Sequence, residues 1–238
     1  MLATIINCAL ILIGSFLGLL LKGKLPQRML DVLVQALGLC VLSIGMSSAV
    51  RTENTLCVVV CLALGTIIGQ AIDIERRLDA WGDKLRKKVE KNTSGESTFT
   101  EGFVTASLLF CIGAMAIVGS IEAGINGNYS ILISKSVIDG ITAVSLATAL
   151  GIGVAFSALP ILIYQGGITL LAGLAAGVLQ TAVITEMSAV GGCIIFGIGL
   201  NMLKLPKTPL KVGNMLPAIF LPLAYLPIAE LLARLLPF

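Results

Sequence analysis

The chain has 238 residues, of which 57% are hydrophobic and 12% charged, with a formal net charge of +3 and a mean hydropathy of +1.02. Such a composition excludes a soluble globular domain, and so small a charge excess gives no nucleic-acid surface. Apolar runs near membrane-spanning length leave room for roughly eight helices and one short insertion, but not for a soluble domain holding an active site of its own.

Helices are predicted at about 2–22, 29–49, 54–74, 103–123, 134–157, 161–181, 186–203 and 213–235. The first lacks a basic leader and a small-x-small cleavage site, and reads as a retained helix rather than a signal peptide. Thirteen of the sixteen Lys and Arg residues fall in three polar breaks: Lys22, Lys24 and Arg28; Arg76, Arg77, Lys84, Arg86, Lys87, Lys88 and Lys91; and Lys204, Lys207 and Lys211. Basic loops stay on the cytoplasmic side, so all three breaks belong there and the N-terminus lies outside. An even number of crossings must then separate the second break from the third. That requirement divides the long stretch 134–181 in two, with the division expected near Ser157–Pro160; re-entrant segments around Gly151–Gly153 or Gly166–Gly167 are the alternative. The fold class is all-α, a polytopic transmembrane bundle in a 3+2+3 arrangement. Its parts are a first triplet at 1–74, a cytoplasmic insertion at 75–101, a central pair at 102–160 and a last triplet at 161–238.

Within the insertion, Leu78, Trp81, Leu85 and Val89 recur at helical spacing among charged residues. This reads as an amphipathic helix on the inner leaflet or a docking element. Thr98 and Glu101 then form a capping-box pattern at the start of the fourth span. The last span carries Pro217, Pro222 and Pro227, each able to bend it.

Glycines at 14 and 18, 65 and 69, and 173 and 177 have small-xxx-small spacing, suited to close helix packing. The likeness of Gly14 and Gly18 to Gly173 and Gly177, and of residues 36–40 to 189–193, suggests that helices one to three repeat, inverted, as six to eight. A bundle with glycine-rich faces also allows a homo-oligomer.

Chemistry has few carriers. There is no histidine, and the six cysteines form no CxxC pair, so no metal site, cofactor or nucleophile–histidine set is expected and the chain is not read as an enzyme. Ionisable groups inside apolar helices are costly and point to function or to pairing. Glu122, Lys135, Asp139 and Glu186 are such groups, all toward the outer face in the assigned topology. Lys135 and Asp139 stand one helical turn apart and can pair. Asn7, Gln165 and Asn201 extend the polar set inward, and Gly166–Gly167 after Gln165 permit unwinding. Gln35 and Gln70 read as interhelical hydrogen-bond glue.

The stretches 4–22, 102–121, 135–140, 151–172, 186–192, 197–203 and 214–218 resemble the YqgA/YdfK-type bacterial inner-membrane proteins, the family known as domain of unknown function 554. The resemblance covers essentially the whole chain. It implies a multi-pass protein of the bacterial cytoplasmic membrane with transport activity and no settled substrate. Family-motif residues present here are Asn7, Glu122, Lys135, Asp139, Gln165, Glu186, Asn201 and Asn214.

Two functions are therefore expected, from different classes. One is a secondary transporter or ion-conducting protein for a small cation or polar metabolite. Its cavity would be lined by Asn7, Asp139, Gln165, Glu186 and Asn201, with Asp139 and Glu186 taking the cation or proton and Lys135 holding Asp139 ionised. Glu122 and Asn214 are secondary candidates. The alternative is a membrane scaffold that binds a partner through 75–101. In both, the chain's surroundings are the lipid bilayer.

Overall fold

A computed structural model describes residues 1–22, 24–77, 80, 99–111, 114–172 and 180–235. The expected amphipathic helix and the Thr98 cap lie outside the described residues. Those described form helices joined by short loops, with no strand among them. They are α1 (Leu2–Lys22), α2 (Gln27–Ala49), α3 (Thr55–Ile72), α4 (Phe99–Cys111), α5 (Ala114–Ile125), α6 (Ser130–Leu150), α7 (Gly153–Phe156), α8 (Ala158–Leu170) and α9 (Thr181–Met202). A 3-10 helix (Val212–Phe220) and α10 (Pro222–Leu235) follow. Among the described residues, six stretches are long and apolar enough to cross a membrane. The pairs α4 with α5, bent by 58°, and the 3-10 helix with α10, bent by 42°, make eight if each is one span.

The expected division of 134–181 falls elsewhere than Ser157–Pro160. Pro160 sits in the first turn of α8, where its missing N–H would have no helical partner, so it does not end a span. The chain turns instead at Gly151, whose φ of 87° and ψ of −157° suit only a residue without a Cβ. α7 and α8 then form one span, Gly153–Leu170. Two of the three prolines stand where the last span departs from a straight α-helix, Pro217 in the 3-10 segment and Pro222 at the start of α10 after the 42° bend, whereas Pro227 lies inside α10 without interrupting it.

Several pairs of elements approach closely through glycine. α1 and α6 run parallel, and a Cβ on Gly14 would lie 2.2 Å from the Gly140 carbonyl oxygen, one on Gly18 2.3 Å from that of Val144. α2 and α9 run antiparallel, with Gly45 against Phe196 and Gly192 against Ala49. α3 packs on the 3-10 helix, Gly65 on Ala218 and Gly69 on Asn214. Backbones this close gain dispersion contacts that lipid cannot supply. Gly173 and Gly177, half of the likeness behind the inverted repeat, lie outside the described residues. Large side chains such as Leu12, Phe16, Leu20, Val59 and Ile163 face outward, as befits helices whose solvent is hydrocarbon.

Contacts also sort the loops by end. Gly38 meets Leu203, Gly69 meets Asn214 and Gly153 meets Phe99, so the turns at 24–26 and 151–152 share one end with loop 203–211. That end carries Lys24, Lys204 and Lys207. Gly124 packs on Thr169 and Ala172, and Glu186 binds loop 52–54, at the opposite end.

Candidate functional site

Asn7 opens the second turn of α1, buried completely because the parallel approach of α1 and α6 leaves no room for lipid. Its side-chain Nδ2 donates to Asp139 Oδ2 of α6 at 3.0 Å and to Gln165 Oε1 of α8 at 3.0 Å. Lys135, one turn before Asp139, donates its ammonium to the same carboxylate oxygen. Four side chains from three spans thus form one buried network, with Lys135 6% and Asp139 5% exposed. Each charge satisfies the other, which is what permits either to exist in an apolar interior. Helical periodicity aims them: Lys135 and Asp139 lie on one face of α6, and Gly140 beside Asp139 admits Leu10 of α1 closely enough to bring Asn7 into reach.

The network is incomplete. Asn7 Oδ1 and Gln165 Nε2 are buried without a hydrogen-bond partner, as is the hydroxyl of Thr4, three residues before Asn7. One acceptor, one donor and one hydroxyl that can be either are therefore available beside an ion pair. Buried amide groups of this kind are ordinarily paired. Cys8 stands next to the network, its thiol directed at the Ala158 carbonyl 3.4 Å away.

The other candidates are placed elsewhere. Glu186, 2% exposed, receives Thr52 Oγ1 at 2.6 Å and the main-chain N–H groups of Glu53 and Asn54 at 2.9 and 3.1 Å. It is an acidic clamp on the N-terminus of α3, where the helix dipole also favours negative charge. Asn54 completes that turn by accepting from Cys57 N. Asn201 makes paired bonds to Leu210, donating to its O and accepting from its N, both 2.8 Å, and so pins loop 203–211. Asn214 accepts from Glu75 N at 2.7 Å and donates to Gln70 Oε1 at 2.9 Å, so Gln70 does bond between helices. Gln35 is exposed. Glu122 accepts from Asn126 at the turn after α5, 3.0 Å away.

The structure thus joins Asn7, Lys135, Asp139 and Gln165, and separates Glu186, Asn201, Glu122 and Asn214 from them. Thr4, Thr52 and Glu75 are functional-looking residues that the sequence reading passed over. Thr4 was findable from its one-turn spacing to Asn7; Thr52 and Glu75 act on or through backbone groups and left no pattern. No group of three or more Cys, Asp or Glu suited to a metal ion occurs among the described residues.

Comparison with known proteins agrees with a membrane bundle of this length. Residues 2–226 match the family described as "Protein of unknown function (DUF554)". The chain is 34% identical over 226 residues to "Uncharacterized membrane protein YdfK" of Bacillus subtilis (strain 168), covering 93% of this chain and 94% of that protein. It is 33% identical over 219 residues to "Uncharacterized protein YqgA" of Escherichia coli (strain K12), covering 91% and 92%. No solved structure matches.

Proposed function

The chain belongs to the DUF554 family, and from that premise we propose that it is a membrane transporter for a small cation or polar metabolite, held at the Asn7–Lys135–Asp139–Gln165 network. The observation that carries this reading is the unfinished hydrogen bonding of Asn7 Oδ1 and Gln165 Nε2 next to a buried ion pair. A purely structural network would be satisfied internally, because each unpaired buried group costs about 1–3 kcal/mol. A polar solute carrying both a donor and an acceptor, or a hydrated cation, would supply what is missing.

Asp139 is the exchangeable group. A cation or proton arriving at its carboxylate competes with the Lys135 ammonium, so loading the site frees Lys135 and unloading restores the pair. Asn7 bridges α1, α6 and α8 and transmits that exchange to their packing, with no chemical turnover of the solute. The positive-inside rule turns the Lys24, Lys204 and Lys207 end toward the cytoplasm of a bacterial inner membrane. The N-terminus then lies outside and the network in the outer half. Glu186 is the clamp of loop 52–54, a positioning role.

Purified protein is screened in detergent by thermal shift against Na⁺, K⁺, divalent cations, pH steps and polar metabolites, since a ligand of the folded state raises the melting temperature with its concentration. A hit is followed by flux in proteoliposomes. Asp139→Asn is expected to abolish both responses while staying folded. Wild-type flux in that variant overturns the assignment.

A further inference from the structure

α2 is the least buried of the six spans, with 22% of its stretch inside the protein against 72% for α9. Its inward face carries Gly38 and Gly45, which bring it against Met202 and Phe196 of α9. Its outward face holds Val32, Ala36, Leu39, Ser43 and Met46, all exposed, at alternating spacings of four and three residues. That is the period of the seam in a left-handed helix pair. Any helix lying against lipid exposes a stripe of similar period, so the period alone selects no partner.

The chemistry of the face does. Every exposed side chain of α1 between Leu2 and Leu21 is apolar, whereas α2 exposes the amide of Gln35. Gln35 lies about 12 Å along the helix from its start, at about 1.5 Å per residue, and so within the hydrocarbon. Its side chain bonds to no other described residue. Gln70 and Gln165 each find a partner on a neighbouring element. An amide is both donor and acceptor, and leaving it unpaired in lipid is costly. Ser43 spends its hydroxyl on the Leu39 carbonyl of its own helix, and with Ala36 it leaves the middle of the face low enough for another backbone to approach.

We propose that this face of α2 packs against the same face of a second copy of the chain, parallel to it, about a two-fold axis along the membrane normal. Two copies of one topology are related by such an axis, which sets each residue at the depth of its counterpart. In a parallel pair, a residue flanking one side of the seam meets the residue five positions on in the other helix. Gln35 flanks the seam beside Ala36, and Cys40, five residues on and also exposed, flanks it beside Leu39. Each Gln35 amide thus meets Cys40 of the other copy, and the symmetry makes that contact twice. The face is its own complement: both amides leave lipid for a thiol that can donate or accept.

The test is cross-linking of full-length chains in the native membrane, with single cysteines in an otherwise cysteine-free background and copper-phenanthroline as oxidant. Ala36→Cys, Leu39→Cys and Ser43→Cys should give a product of twice the chain mass. Phe16→Cys and Ile163→Cys, exposed on α1 and α8, should not. Energy transfer between labelled copies, followed on dilution in liposomes, then reads the strength of the pair. Gln35→Leu should weaken it by about three- to tenfold, and Ala36→Ile should weaken it as well. Leucine suits a lipid-facing position better than glutamine, so misfolding would not account for the loss. No product at the α2 positions, a product of any other mass, equal cross-linking at Phe16→Cys, or a dilution midpoint unmoved by both substitutions overturns the proposal. Asp139→Asn should leave the pair intact, so failure of the transport reading and failure of this interface are distinguishable.

Discussion

At the scale of single residues, the Lys135–Asp139 pair controls what the interior tolerates. Removing one partner of a buried ion pair leaves an uncompensated charge, at a cost of about 3–5 kcal/mol, whereas removing both is often close to neutral. Lys135→Met should therefore lower the unfolding free energy by that amount, and Lys135→Met/Asp139→Leu should recover most of it, as measured by denaturation in mixed micelles. Equal losses in the single and double variants would show that the pair does not act as a unit. Glu186 makes a different prediction. Glu186→Ala strands the N–H groups of Glu53 and Asn54, and a donor left buried without its charged acceptor costs about 1–3 kcal/mol. Hydrogen exchange at 52–57 should quicken in that variant while exchange around Asn7 stays as it was. The burial cost of polar groups made Asn7, Lys135, Asp139 and Gln165 legible in the sequence, because an apolar helix offers them no other reason to exist. It could not separate them from Glu186 and Asn201, whose partners are the Thr52 hydroxyl and main-chain groups of loops 52–54 and 203–211. Main-chain donors leave no trace in residue identity.

At the scale of elements, stability depends on how closely helices approach. Gly14→Ala puts a methyl group 2.2 Å from the Gly140 carbonyl oxygen, so α1 and α6 must separate, and overpacking of this kind costs about 1–3 kcal/mol. Gly167 has no atom within 4 Å of such a methyl, and Gly167→Ala should leave the melting temperature near that of the wild type. A lower melting temperature for the Gly14 variant alone is the expected result. Gly151→Ala forces a Cβ into a glycine-only conformation and should cost about 1–3 kcal/mol as well. The hydropathy pattern located these spans because lipid demands unbroken apolar runs. It misplaced the turn between α6 and α7 because proline is the louder signal. Pro160 is harmless in the first turn of a helix, and the dihedral angles that make Gly151 the true break are not written in a composition window.

At the scale of the molecule, the six apolar spans among the described residues, eight if each bent pair is one, and their charged loops make an orientation that can be checked directly. In a chain freed of its six native cysteines, Gly127→Cys and Lys207→Cys should react with a membrane-impermeant maleimide from opposite sides of the membrane. The Lys207 position should be reached only in inverted vesicles. Labelling of both from the same side would remove the positive-inside assignment and the outer placement of Asp139 with it.

The parallel pairing of α1 with α6 has a consequence for how the protein is made. Asn7 and Asp139 are separated by 132 residues, and translation at about 5–20 residues per second needs on the order of ten seconds to cover them. Throughout that interval α1 is in the bilayer without its partner, carrying an amide and two glycines that lipid serves poorly. α1 thus waits for its seat until α6 has been made, as α2 waits for α9 and α3 for the 3-10 helix. A nascent chain halted before residue 130 holds α1 without the helix that buries Asn7, a state in which an insertase or chaperone would find its footing.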